Sequence, residues 1–171
     1  KNGSKREVLD VSVRRNNPYQ TFLSCNFLIS KEVLQMIRFN EQIKDYGYED
    51  AVLGMELSNR NIRVGHIDNP VVHLGIEDTG VFISKIEKSI GTLVFLSSLI
   101  GNDLLCRYIK LYRVYQGLPK PVKEAVAFGF KLTRGLMRWQ LHSKNPSLIV
   151  FDCYKLGYLC CEMKRQGLSL K

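Results

Sequence analysis

In "DYGYEDAVLG", residues 45–54, two adjacent carboxylates, Glu49 and Asp50, follow a Tyr-Gly-Tyr turn and precede an apolar periodic run. Neighbouring acids at a helix start have a structural use, because a carboxylate there stabilises the helix dipole by roughly 0.3–1 kcal/mol. They also have a chemical use. A carboxylate held at the end of a tight glycine turn can take a proton from a bound hydroxyl while its neighbour orients the acceptor through hydrogen bonds. An Asp in this position is a weak base, adequate only where the hydroxyl loses its proton late in the transfer. Spacing alone leaves both uses open.

The elements that would position these acids can be read on either side. Residues 22–29, "FLSCNFLI", form an apolar run of strand length, and Ser30 is then placed to cap a helix carrying Val33, Leu34 and Ile37. After the turn, Val52, Leu53, Met55 and Leu57 predict a second short helix ending near "SNRN". "IRVGHI" then alternates as a strand does, Asp68, Asn69 and Pro70 make a turn, and "VVHLG" is a further extended piece. Alternating strands and helices predict a mixed α/β layer. Two or three strands are too few for a sheet of ordinary size, so the remaining strands are expected upstream.

Beyond Thr79 the spacing becomes helical: Phe82, Ile86, Ile90, Leu93 and Leu96 recur at three and four, as do Tyr108, Leu111, Tyr112 and Tyr115. A third helix is expected from "LPKP" to about His142, and a fourth from Asn145-Pro146 to about Gln166. The expected domains are residues 1–80 and a basic helical extension, residues 81–171.

Composition bounds these readings. The chain has 171 residues, of which 45% are hydrophobic, enough for a real core and against disorder. No apolar run approaches the roughly 18–20 residues that cross a bilayer. The start, "KNGSKREVLD", has neither an initiator Met nor the apolar core of a signal peptide, so a fragment of a longer chain is expected. Five cysteines, odd in number and without a C-x-x-C pair, suggest neither a disulfide framework nor a zinc site and fit a reducing cytoplasm.

The charge is unevenly placed. Residues 1–80 carry 10 Lys and Arg against 11 Asp and Glu, net −1, and residues 81–171 carry 15 against 5, net +10, giving the total of +9. Such asymmetry points the second part towards something anionic. In "PKPVKEAVAFGFKLTRGLMRWQLH", Val122, Val126, Leu132, Leu136 and Met137 give an apolar face, with Lys131, Arg134 and Arg138 lined up elsewhere and Trp139 at the end. That pattern suits either a helix lying on an anionic membrane or an ordinary solvated face. No nucleic-acid reader motif occurs, and no nucleic-acid partner is expected.

Four pieces, "SCNFLISKEVL", "RFNEQIKDYGYEDAVLGMEL", "NRNIRVGHIDNP" and "VVHLG", occur in an order that resembles the C-terminal half of the catalytic domain of family 2 glycosyltransferases. The resemblance covers residues 18–75 and is to bacterial sugar transferases of the GT-A fold. It implies a partial GT-A-like mixed α/β sheet with helices, followed by the all-helical extension. It implies an inverting transfer of sugar from a nucleotide-sugar donor to a saccharide or lipid-linked saccharide acceptor, in bacterial surface polysaccharide synthesis. Asp50 falls on the family's general base and Glu49 on its acceptor-binding partner, with Gly47 and Tyr48 of the turn beside the substrate. Asn26 matches a position lining the sugar site, or else caps a strand end. His73 matches a ligand to the divalent metal, Mn2+ or Mg2+, although a lone His in an apolar strand is also a common core residue. Arg14 and Arg15 either reach a diphosphate or stand as a solvated pair.

Two departures stand out. The family's Asp-x-Asp, which carries most of the metal and the nucleotide sugar, is absent from these residues, so this chain alone is expected to be inactive. Asn40 stands where the family usually has Asp. The resemblance implies a cytoplasmic protein, peripheral on the inner face of the plasma membrane if the basic helices meet it. The contrasting reading is a non-catalytic basic helical adaptor for membranes or nucleic acid, with "YGYED" only a capped turn.

Overall fold

A computed structural model of the chain describes residues 9–37, 43, 45–71, 75 and 77–167. Eight helices occur among them: α1 (Val11–Asn16), α2 (Lys31–Met36), α3 (Glu49–Asn59), α4 (Thr79–Leu99), α5 (Asn102–Tyr108), α6 (Lys110–Gly117), α7 (Lys120–Leu141) and α8 (Leu148–Arg165). The residues group into two compact units, one of Lys1–Lys44 and Tyr48–Ile76, the other of Asp45–Gly47 and Glu77–Lys171.

The expected mixed α/β sheet is not present: no strand occurs among the described residues, which are helical or irregular. The reason is visible in where the backbone groups go. Along residues 61–67 the side chains do alternate, with 62, 64 and 66 half-buried and 61, 63, 65 and 67 exposed. Yet the carbonyls of His66 and Ile67 accept from the guanidinium groups of Arg15, at 3.0 Å, and Arg14, at 3.2 Å. In the other expected strand, the Ser24 amide donates to the Asp50 carboxylate at 3.1 Å. Side chains thus satisfy groups that a ladder would otherwise pair. Of "VVHLG", residues 72–74 lie outside the described residues.

Two helices of the first unit, α1 and α2, start where side chains cap them. The Asp10 carboxylate accepts from the Ser12 amide at 2.8 Å, and the Ser30 hydroxyl from the Val33 amide at 3.3 Å. Ile37, Leu53 and Leu57 form the buried core of this unit, with Tyr19, Phe22, Val33, Ile62 and Val64 packed around them. Gly54 lets α3 lie directly on the preceding loop, because a Cβ there would stand 2.3 Å from the Tyr19 carbonyl oxygen.

In the second unit α8 is the central helix, packed against α4, α6 and α7. The Ser147 hydroxyl caps its start, and Phe151 and Tyr154 join Ile83, Phe130 and Leu141 in the core. The Phe130 and Tyr154 rings meet edge to face at 5.1 Å. Beside this core, Glu87 accepts hydrogen bonds from the Tyr154 hydroxyl, from Arg134 at 2.9 Å and from Arg138 at 3.4 Å. Helix α6 is tied to the start of α5 by Tyr112, whose hydroxyl donates to Asn102 at 2.6 Å.

One expected surface is rearranged. On α7 the buried side chains are Ala127, Phe130 and Leu141, while Leu132 and Leu136 face solvent. Two of the three basic residues expected to line one face, Arg134 and Arg138, turn to Glu87 instead. No helix among the described residues is long and apolar enough to cross a membrane.

Candidate functional site

The two acids open α3, Glu49 as its first residue and Asp50 as its second. The cap residue is Tyr48, which has left-handed backbone angles (φ 67°) and supplies no side-chain cap. A non-glycine residue in that region is uncommon and strained, and it follows Gly47, itself at φ 108°. With no side-chain cap on the helix, the negative charge at its positive end comes from the acids in its first turn. That is the physical reason for a pair where one cap would usually do.

The two carboxylates are held differently. Asp50 is half-buried, and its Oδ1 accepts from the Ser24 amide at 3.1 Å. Glu49 is half-buried too, but its Oε2 is fully buried and unpaired among the described residues. A buried carboxylate oxygen without a donor is costly, and calls for a water or ligand group to supply one. Desolvation pushes the Tyr48 phenol up to about 12, so it stays a neutral hydroxyl at physiological pH.

The other sequence-predicted residues are placed as follows. Asn26 lies two positions from Ser24, and its amide donates to the Asn69 carbonyl at 3.2 Å, which makes it a brace between two loops. Arg14 and Arg15 are engaged with the carbonyls at 66–67, so the described geometry ties them to the scaffold. Gly47 belongs with the second unit, where the turn at 45–47 is anchored on α4. The Thr92 hydroxyl donates to the Tyr46 carbonyl at 3.0 Å, and the Lys85 ammonium stands 5.4 Å from the Tyr46 ring. A Cβ on Gly47 would lie 2.4 Å from the Ser89 Cβ.

His73, the expected metal ligand, lies outside the described residues, as does Asn40. Among the described residues no three His, Cys, Asp or Glu side chains come together to hold an ion. Ser24 is a participant that the sequence did not reveal, because it acts through its backbone amide and a backbone donor has no side-chain signature.

Searches of protein-family models, of curated proteins and of solved structures each find no match to this chain.

Proposed function

We propose that the chain is part of an inverting glycosyltransferase, with Asp50 as the general base that activates an acceptor hydroxyl and Glu49 as the group that binds and orients the acceptor. The observation that carries the reading is the asymmetry of the two acids: Asp50 is fixed by Ser24 through one oxygen, while Glu49, one residue away, keeps a buried oxygen with no partner among the described residues. A sugar hydroxyl is both a donor and an acceptor. It can donate one hydrogen bond at a time, so Asp50 and Glu49 would draw on different hydroxyls of the acceptor, or on one hydroxyl and one water. The base accepts its proton as the hydroxyl oxygen attacks the anomeric carbon and the bond to the nucleotide diphosphate breaks. The ordered motifs over residues 18–75 support the same assignment and suggest a nucleotide-sugar donor and a saccharide or lipid-linked saccharide acceptor.

A divalent ion would neutralise the leaving diphosphate in such a reaction. The described residues do not assemble a site for one, and no step here runs through it.

A transfer assay on the full-length protein, with a panel of nucleotide sugars and saccharide acceptors, tests the proposal. Asp50→Asn should lower kcat by at least the roughly 100-fold of general base catalysis and leave donor affinity near the parent's. Activity within a few-fold of the parent removes Asp50 from the role. No transfer by the parent with any donor would favour the adaptor reading.

A further inference from the structure

Along α7 the solvent-facing residues include Phe128, 67% exposed, Leu132, 72%, Leu136, 67%, and Trp139, 72%. Their spacing of four, four and three keeps them on one side of the helix. Ala127, Phe130 and Leu141 occupy the other, buried side. Single exposed apolar residues are ordinary, but four large ones in a stripe roughly 17 Å long mark an interaction surface.

The surroundings of the stripe select the partner. Lys120 and Lys131 are exposed on the same helix and Lys144 just beyond it, with Glu124 the acid of α7. Residues 81–171 as a whole carry 15 basic against 5 acidic side chains. A second copy of this chain would bring the same positive charge to the contact and be repelled. A nucleic acid would gain from the lysines but has nothing for Leu132 and Leu136 to contact favourably. An anionic lipid surface offers both a negative plane and a hydrocarbon layer beneath it.

We propose that this face of α7 docks onto an anionic bilayer, the helix lying in the plane of the surface with Phe128, Leu132, Leu136 and Trp139 in the headgroup and acyl boundary. Lysines beside the stripe meet the lipid phosphates, and the single tryptophan of the chain takes the interfacial depth that indole prefers. The surface stands on this face alone and holds whether or not the chain takes part in sugar transfer.

Because Trp139 is the only tryptophan, its fluorescence reports on the stripe directly. The purified 171-residue chain should show a blue-shifted emission with vesicles of phosphatidylcholine and phosphatidylglycerol, a much smaller shift with phosphatidylcholine alone, and reversal at high salt. Leu132→Glu with Phe128→Glu should weaken vesicle affinity by roughly tenfold or more. Their far-UV dichroism and melting should stay unchanged, since both sites are exposed. Lys131→Glu with Lys144→Glu should weaken binding with the stripe intact. Absence of a shift with anionic vesicles, or undiminished binding by the Leu132 and Phe128 variant, overturns the proposal. So does a lipid-free shift that grows with protein concentration alongside dimer in sedimentation, which would assign the stripe to a second copy.

Discussion

Glu49 and Asp50 share one turn of helix but ask for different substitutions. Asn at position 50 keeps an oxygen for the Ser24 amide, so Asp50→Asn removes the base while leaving that brace in place. It should lower stability by about 0.3–1 kcal/mol, the helix-dipole contribution of the lost charge. Asp50→Ala removes the acceptor as well and should lower stability by about 1–2 kcal/mol, a difference that chemical denaturation of the two variants resolves. If both variants lose stability equally, the Ser24 bond is not what holds this carboxylate. Gly47 is constrained twice over, by a φ of 108° and by the 2.4 Å that would separate an added Cβ from that of Ser89. Gly47→Ala is therefore expected to destabilise by about 2–4 kcal/mol, measurable as a fall in the denaturation midpoint. A change below about 0.5 kcal/mol, the scale of an ordinary surface substitution, would show that the turn gives way easily.

At the level of elements, glycines inside helices separate packing from propensity. A Cβ on Gly157 would lie 2.6 Å from the Phe130 ring, where α8 meets α7, whereas one on Gly135 of α7 meets nothing within 4 Å. Gly157→Ala should destabilise by about 1–3 kcal/mol through displacement of Phe130. Gly135→Ala should stabilise by about 0.5–1 kcal/mol by restricting the unfolded chain. Thermal melts of the two variants should shift in opposite directions, and a shared direction would contradict the helix pairing. Several of these helices were readable in advance, because three-four spacing, Ser30 and Pro121 carry their starts locally, whereas α1, the Ser147 cap and the break between α5 and α6 at Ile109 were not. Nor were the strands. The alternation at 61–67 correctly marks which side chains are half-buried, but alternation does not say whether the neighbouring backbone is a strand or a pair of arginines. Likewise Leu132 and Leu136 have a helical spacing that fits a core, and only the packing of α8 on the Ala127 and Phe130 side decides that they face outwards. For the acids, their position at a helix start was legible in the turn and the apolar run after it. Their unequal fixing was not, since it depends on an amide 26 residues away.

For the whole molecule, the acids that desolvation pushes upward are all neutral when protonated, and together they set its response to alkali. Cys160 is buried beside Cys161, and its thiol moves from 9.0 to about 11, chiefly because burial disfavours the thiolate. Tyr48 moves from 10.0 to about 12 for the same reason, and burial also raises Tyr112, Tyr154 and Tyr158. A raised folded value means that between the unfolded and folded values the native state holds a proton that the unfolded state has lost. Unfolding then releases protons, and stability must fall as pH rises. The contribution of Cys160 is fully present below pH 9.0 and is lost as pH approaches about 11. Those of the tyrosines begin to fail only above 10.0. Lysine deprotonation relieves the repulsion of the +9 chain and acts in the opposite sense, but it also belongs above roughly pH 10. Burial also raises the Cys106 and Cys161 thiols from the same 9.0, so the interval from pH 9 to 10 reports chiefly on the three thiols together, with Cys160 the most strongly shifted. Melting temperature should be level from neutral pH to about 9 and then decline, whereas Cys160→Ala, offset by its own packing loss, should decline less steeply between 9 and 10 because Cys106 and Cys161 remain. Equal slopes for parent and variant between pH 9 and 10 would remove Cys160 as the cause and leave the alkaline response to Cys106, Cys161 and the tyrosines.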